Sequence, residues 1–496
     1  MPLIVAQKDR SAARTLQRRV EQGELRRVYA GIYTDDLVTP LEALCRREFY
    51  ALCALLASSA VISHRSGLES GPTKDGTVFL SGPYRRDIKL PGMHLRIAQG
   101  PGPQQNDSRI PTFHGDAYRS SQARALLENL TSSRGPLEER RTLGPTGVEH
   151  WLDRFISHTT HEAVNQLRDS ARELAEPLSL QAQFKRLDHT IGALLGTRTH
   201  RLSVPAAIAR AAGRPYDTAR VDLFDQLLTQ LDQDPVVVPE ADELADNELQ
   251  AFVESYFSNY IEGTEFELTE AHDIVVHGRP LQYREHDSHD ILGTYQAILE
   301  SKKNPRFPDS FDAFVDRLRH WNRQVIESRL AMQPGEFKTE NNRAGNRFFV
   351  EPNSVLGTLE KGYERVMAAA TAANRGALAM FVVAEVHPFA DGNGRTARLA
   401  MNLALSATGL TRIIVPTVYH DDYISALKAL SSNRLTVAFG RMLNRAALFS
   451  RWLDCRSTDA CFSDLRASNA MEKPETAKLT FTYKPPTSRA IAKLAR

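Results

Sequence analysis

The apolar positions of this chain change their period along its length, and the changes divide it. Over the first 70 residues the pattern predicts a basic helix, "SAARTLQRRVEQ", then Gly23 and a strand pair around "ELRRVYAGIYT". A long apolar helix, "PLEALCRREFYALCALLASS", follows. From 71 to about 115 short β-prone runs such as "TVFLSG" and "MHLRIAQG" are punctuated by glycine and proline, and "GPGPQQNDSRIP" reads as a loop. From about 117 the spacing becomes helical, as in "YRSSQARALLENLTSS", "GVEHWLDRFISHTTHEAVNQLRDSARELAE" and "VDLFDQLLTQLDQ". "DQDPVVVPEAD" at 232–242 reads as a hinge. Residues 243–450 are again mostly helical, interrupted by a polar segment, "PGEFKTENNRAGNR" at 334–347, and then "FFVEP". The tail from 451 ends in "YKPPTSRAIAKLAR", basic, proline-bearing and expected to be mobile at its end. The expected fold class is mostly α, with an α+β region at the N-terminus. No internal repeat is evident.

Composition narrows the function classes. At 496 residues the chain is too long for one compact core, so two to four domains are expected. Lys+Arg 62 against Asp+Glu 60 excludes a polycation, and any nucleic-acid site would be a local patch. Four cysteines without a CxxC suggest neither a disulfide framework nor a zinc site, which fits a reducing cytoplasm. The N-terminus lacks an apolar signal segment, and the most apolar runs are shorter than the roughly 18 residues a membrane span needs. The expected location is cytoplasmic, with no membrane partner.

The candidate chemistry lies in "HPFADGNGRTAR", residues 387–398. "GALAMFVVAEV" forms an apolar helix that delivers His387 at its end, where Pro388 prevents continuation. "RTARLAMNLALSAT" resumes as a helix with Leu399, Leu403 and Ala404 on its buried face. "DGNGR" therefore sits at a helix N-terminus, where glycines let backbone N–H groups approach an anion and the helix dipole favours it. Arg395 and Arg398 add cations with fork geometry suited to phosphate oxygens. Asp391 offers a hard oxygen ligand for Mg²⁺ shared with substrate phosphates, and His387 stands where a base for a hydroxyl nucleophile is needed. These residues point to metal-assisted nucleotidyl or phosphoryl transfer.

The stretch also resembles the Fic (Fido) family motif, H-P-F-x-[D/E]-G-N-G-R-x-x-R, at every defined position. "HDILGTYQAILE", "PGEFKTENNRAGNRFFVEP" and "LAMNLALSATGLTRIIVP" resemble the Fic core in order and spacing. The resemblance implies an all-α core with a short β-hairpin flap and a protein adenylyltransferase activity, or AMPylation. AMP would pass from ATP to a Ser, Thr or Tyr hydroxyl of a protein partner, releasing pyrophosphate. His387 would be the catalytic base and Asp391 the Mg²⁺ ligand. Gly392, Asn393, Gly394, Arg395 and Arg398 would hold phosphates, and Phe389 would anchor the loop in the core. "RFFVEP" at 347–352 would be the target flap, with Arg347, Phe348, Phe349 and Val350 facing the target backbone. Tyr423 matches a family position near the adenine; where relatives often carry asparagine eight residues later, this chain has Ser431, and Asn433 is out of register.

Far upstream, "SYFSNYIEGTEFEL" places Ser258 and Glu262 four apart, on one helical face, with Gly263 as a C-terminal stop. This resembles the family's inhibitory motif, [S/T]-x-x-x-E-[G/N]. The resemblance implies that Glu262 reaches Arg398 and takes the space of the ATP γ-phosphate. Breaking a buried carboxylate–guanidinium pair from one side costs on the order of 3–5 kcal/mol, so an off state would dominate. The same glutamate, in another family mode, would help remove AMP from modified targets.

Residues 1–30 carry seven cations (Lys8, Arg10, Arg14, Arg18, Arg19, Arg26 and Arg27) against Asp9, Glu21 and Glu24, a footprint suited to nucleic acid. The helix with "GELRRVYAGIY" is similar to a winged helix. Together with "VISHRSGLESG" and the strands that follow, residues 5–135 resemble the AbiEi-type antitoxin family of DNA-binding autorepressors; His64 is read as structural. The chain is accordingly divided into a winged-helix-like module (1–70), an α+β AbiEi-like region (71–135), a helical connector (136–242), an inhibitory-helix region (243–285), a Fic catalytic core (286–450) and a C-terminal tail (451–496). The leading expectation is an autoinhibited adenylyltransferase with a regulatory N-terminal module, DNA being that module's candidate partner and a homodimer a candidate assembly. The alternatives are a repressor whose Fic domain only senses nucleotide, and a Fic transferase that uses another nucleotide.

Overall fold

The computed structural model describes residues 3–6, 10–136, 139–345 and 347–483. The chain divides into two compact units, Met1–Gly213 and Arg214–Arg496, and the break falls inside the stretch expected to be a connector.

In the first unit, the helix Arg10–Glu21 precedes the antiparallel strands Arg26–Tyr29 and Ile32–Thr34, and Ile4–Val5 adds a third strand. Arg14 and Arg18 are exposed, whereas Arg19 pairs with Glu24 and Arg26 donates to the Asp36 carbonyl. The apolar segment expected as one helix is two, Leu41–Arg47 and Phe49–Leu56, because Glu48 leaves helical geometry with ψ at 19°. A six-stranded mixed sheet follows, in the order Arg86–Leu90, Met93–Gln99, Thr77–Gly82, Val61–Ile62, Gly115–Arg119, Ser108–Thr112. Thr77–Gly82 is buried along its whole length, as a central strand should be. "SRIPT", expected as loop, is instead the outermost strand, an edge position that tolerates Pro111. His64 is buried and bonded to Ser63, its pKa pushed down to about 4 by burial, which agrees with a structural role.

Among the described residues the second unit is helical apart from one small hairpin, Arg343–Ala344 paired with Arg347–Phe348. At its centre the helices Ala372–Val386 and Asn393–Ser406 are buried on nearly every side. That burial explains why their apolar residues show little alternation. Thr218–Gln233, Glu285–Lys303, Phe311–Val325 and Val355–Ala368 pack around them and share one hydrophobic core. Glu285–Lys303 and Phe311–Val325 cross so closely at Gly293 that a Cβ there would stand 2.0 Å from the Gln324 carbonyl oxygen. The helix Asn247–Tyr260 is packed on a second core that includes Phe449, Cys461 and Leu465. The stretch from 451, expected as a tail, thus supplies the helix Thr458–Ala467 to that core. Its basic end from 484 lies outside the described residues. Among the described residues no helix is long and apolar enough to cross a membrane.

Candidate active site

The loop 387–392 joins the two central helices, and its shape is set by its own side chains and by Asn393. His387 caps the first helix in the left-handed region, with φ at 53°, while Gly392 takes φ at 76° just before the second. Asn393 staples the turn: its Oδ1 accepts from the Phe389 N–H at 2.9 Å and its Nδ2 donates to the Phe389 carbonyl at 2.8 Å. Phe389 is fully buried, as an anchor should be. The amide of Asn322 donates to the Asp391 carbonyl at 2.8 Å, and that of Asn342 to Phe389 at 2.9 Å. The Asn393 side chain is therefore spent on the loop rather than on a ligand.

His387 donates from Nδ1 to the Ala384 carbonyl at 3.2 Å. A carbonyl only accepts, so the proton resides on Nδ1 and Nε2 keeps its lone pair. Burial pushes the imidazole pKa down to about 4, helped by the charge of Lys338, so the ring is neutral at pH 7. Phe349 stacks on it, ring centroids 3.8 Å apart and planes 9° from parallel, and fixes its plane. Asp391 keeps its carboxylate 36% exposed, with Oδ1 accepting from the Gly392 N–H.

The two motif arginines occupy different environments. Arg395 is buried, its Nη1 lying 2.7 Å from Asp290 Oδ2 and 3.2 Å from Asn259 Oδ1. Its guanidinium, expected on a phosphate, is engaged in holding the helix to its neighbours; its Nε has no hydrogen-bond partner among the described residues. Arg398 faces the inhibitory segment. Its Nε donates to Ser258 Oγ at 3.0 Å, and its Nη2 to the Ser258 carbonyl and to Glu262 Oε1, both at 2.7 Å. Glu262 lies just past the end of the helix Asn247–Tyr260, in a turn that Gly263 completes at φ 90°. Burial raises the Glu262 pKa, but Arg398 and Arg395 outweigh it and hold the carboxyl below its usual range. Its Oε1 also lies directly over Gly394, only 2.1 Å from where a Cβ would be. Glycine is what allows a carboxylate, or any other anion, to rest there.

A cavity of about 230 Å³ opens beside these groups, lined among others by Glu262, His387, Gly394, Arg398, Tyr423 and Ser431. Tyr423 is buried with its hydroxyl 3.4 Å from Arg398 Nη1, and burial raises its pKa. Of the flap residues, Phe348 is exposed, Phe349 covers His387 and Arg347 bonds Glu385. Val350 is fully buried in the core, away from any target.

Sequence reasoning did not single out Lys338, Asn322, Asp290 or Glu385. Lys338 is buried, holds Asn342 Oδ1 at 2.7 Å, and has its pKa pushed down to about 8 by burial. Its backbone N–H donates to the Pro388 carbonyl at 2.9 Å. Lys338, Asn322 and Asp290 sit in unrelated segments and meet the loop only through tertiary contacts, while Glu385 is an ordinary glutamate at the end of the helix that delivers His387, so no local spacing marks any of them.

Residues 311–405 match the Fic/DOC family model. Over 183 residues the chain is 27% identical to protein adenylyltransferase fic-1 of Caenorhabditis briggsae, the match covering 36% of this chain and 36% of that one. It is 28% identical to protein adenylyltransferase Fic of Drosophila melanogaster, covering 36% of this chain and 37% of the relative. The match thus spans little more than a third of these relatives' length. The solved structure of a Fic domain containing signaling protein from Bacteroides thetaiotaomicron aligns with a TM-score of 0.37 at 18% identity, covering 49% of this chain and 97% of that one.

Proposed function

This chain carries a Fic/DOC-family domain at residues 311–405, and from that premise we propose that it is an autoinhibited protein adenylyltransferase. The observation that carries this reading is the neutral His387 beside an anion-ready loop whose second arginine is held by Glu262. His387 Nε2 takes the proton of a Ser, Thr or Tyr hydroxyl on a protein partner. The hydroxyl oxygen attacks the α-phosphorus of ATP, the bond to the β-phosphate oxygen breaks, and pyrophosphate leaves. The N–H groups of Asn393 and Gly394 receive phosphate oxygens at the start of the helix, while that of Gly392 is turned to Asp391 Oδ1.

The donor set at Asp391 fits Mg²⁺, which is commonly bound through one carboxylate plus substrate phosphates. When bound, the ion neutralises phosphate charge. The exposed carboxylate of Asp391 is the residue that would hold it. Tyr423 and Ser431, on the cavity wall, are the residues offered to the base and sugar.

Glu262 explains the off state. It uses the same guanidinium and the same space over Gly394 that a γ-phosphate would use. ATP then binds only with its phosphates displaced from the in-line arrangement. To test the reading, the chain, Glu262→Gly and His387→Ala are each incubated with ATP, UTP or GTP in lysate, and modified peptides are identified by mass. Peptides bearing AMP are expected with Glu262→Gly and ATP, and none with His387→Ala. Labelling that persists in His387→Ala would overturn the assigned base.

A further inference from the structure

Two residues before His387, the same helix carries Glu385, a carboxylate only 2% exposed that belongs to none of the roles above. Its Oε1 accepts from Arg347 on the hairpin and from Arg220 on the helix Thr218–Gln233. Its Oε2 accepts from Ser431 Oγ at 2.6 Å, on the wall of the cavity. Arg220 also donates from Nη2 to the Phe348 carbonyl at 2.9 Å, so it grips the hairpin's backbone as well. One buried carboxylate therefore ties three elements to the helix that ends in the base.

We propose that Glu385 is a positioning residue that latches the hairpin Arg343–Phe348 to the helix Ala372–Val386, and so sets where a target chain lies relative to His387. This inference rests on the adenylyltransferase reading for its consequence, though not for the latch itself. The base of the hairpin is held on both sides, by Asn342 on Phe389 and Lys338 and by the buried Val350, but among the described residues its two strands have few other ties. Its pairing consists of two residue pairs, and a lone two-stranded hairpin is marginal in water. Phe348 is exposed, so it contributes little burial. Arg347 is the hairpin side chain that reaches the buried carboxylate, and the residue after Phe348, Phe349, is the one stacked on the imidazole.

The chemistry of the latch is electrostatic. Two guanidiniums share one carboxylate, and both lose their counter-charge if that carboxylate is neutralised. Arg220 and Arg347 would then be left near each other as like charges without their common anion. The hairpin strand would lose its anchor first, because Arg220 is also fixed by its own helix. Phe349 follows the strand, so the imidazole loses its stacking partner. Nucleotide contacts made by the loop 391–394 and by Arg398 do not pass through Glu385; Ser431 does touch it, and in Glu385→Gln the amide oxygen remains as an acceptor for that hydroxyl.

The test is made in the Glu262→Gly background with Glu385→Gln and Glu385→Asp. Hydrogen exchange of the hairpin amides around Arg347 and Phe348, ATP affinity by titration with a fluorescent ATP analogue, and AMP transfer to protein are read in parallel. Glu385→Gln is expected to speed hairpin exchange by at least about tenfold while exchange in the central helices is unchanged. AMP transfer should fall by about tenfold or more, through KM for the protein or through kcat, with ATP affinity within about threefold. Glu385→Asp, which keeps the charge, should recover part of both losses. Unchanged hairpin exchange in Glu385→Gln overturns the latch, as does a loss of ATP affinity as large as the loss of transfer. If Glu262→Gly transfers no AMP at all, the adenylyltransferase reading fails, and the exchange result still decides the latch.

Discussion

His387 stays in its base form because it is buried, and the direction of that effect is testable. Its pKa lies at about 4, below the ordinary value of 6.5, so the neutral ring dominates throughout the range between. Activity limited by this base should therefore hold as pH falls below 6.5 and be lost only towards 4. In Glu262→Gly, kcat/KM, which reports the free enzyme, is expected to change less than about twofold between pH 7.5 and 5.5 on account of His387. A limb centred near 6.5 in that profile, absent for binding alone, would mean that the ring is solvated. At this scale the sequence was most informative about residues packed into one loop. His387, Asp391 and Arg398 were legible because the motif presents them together. Glu262, which meets Arg398 across 136 residues, was legible only through the family's inhibitory pattern. Lys338 and Glu385 carry no such mark, since a lysine in a polar run and a glutamate at a helix end are ordinary in sequence. Arg395 shows the converse: its motif position suggested phosphate, while its surroundings pair it with Asp290.

The helix Asn247–Tyr260 is tied to the central helix Asn393–Ser406 at successive points along its length. Glu254 accepts from Asn402 at 2.8 Å, Asn259 from Arg395, and Ser258 from Arg398. With its other side packed into the second core, this helix has little freedom to leave. On the proposed reading, relief of inhibition requires only the turn holding Glu262 to move, where the side chain is 28% exposed and Gly263 supplies the backbone freedom. The helices themselves were readable from their period, whereas the crossing that positions the loop was not. Asn322, which holds the Asp391 carbonyl, comes from Phe311–Val325, and that helix is seated by contact at Gly293. Gly293→Ala is expected to destabilise the unit by about 1–3 kcal/mol, because its Cβ would meet backbone rather than a movable side chain. The melting temperature should fall, and ATP affinity in Glu262→Gly with it. A variant that melts like the parent would show that the two helices separate at little cost.

At the scale of the whole chain, the change of period from β-prone to helical runs was visible, as was the mostly helical character of the chain beyond it, although the strand Gly115–Arg119 runs past the expected change at 117. The division at Gly213 was not, since the helices on either side of it share one pattern and differ only in which core they join. The helix Thr458–Ala467 was hidden by the basic stretch that follows it. Every residue of the candidate site lies in the unit Arg214–Arg496, which has its own two cores. A chain of residues 214–496 is therefore expected to unfold in a cooperative transition and to bind ATP as the full chain does, within about threefold. Failure to fold alone would show that the N-terminal unit completes it. The central claim is that Glu262, by occupying Arg398, holds an intact transferase off. It is tested most directly by the rate of AMP incorporation from labelled ATP by Glu262→Gly against the unchanged chain. A rise of about tenfold or more, abolished by adding His387→Ala, is expected; equal rates in variants that still bind ATP would contradict it.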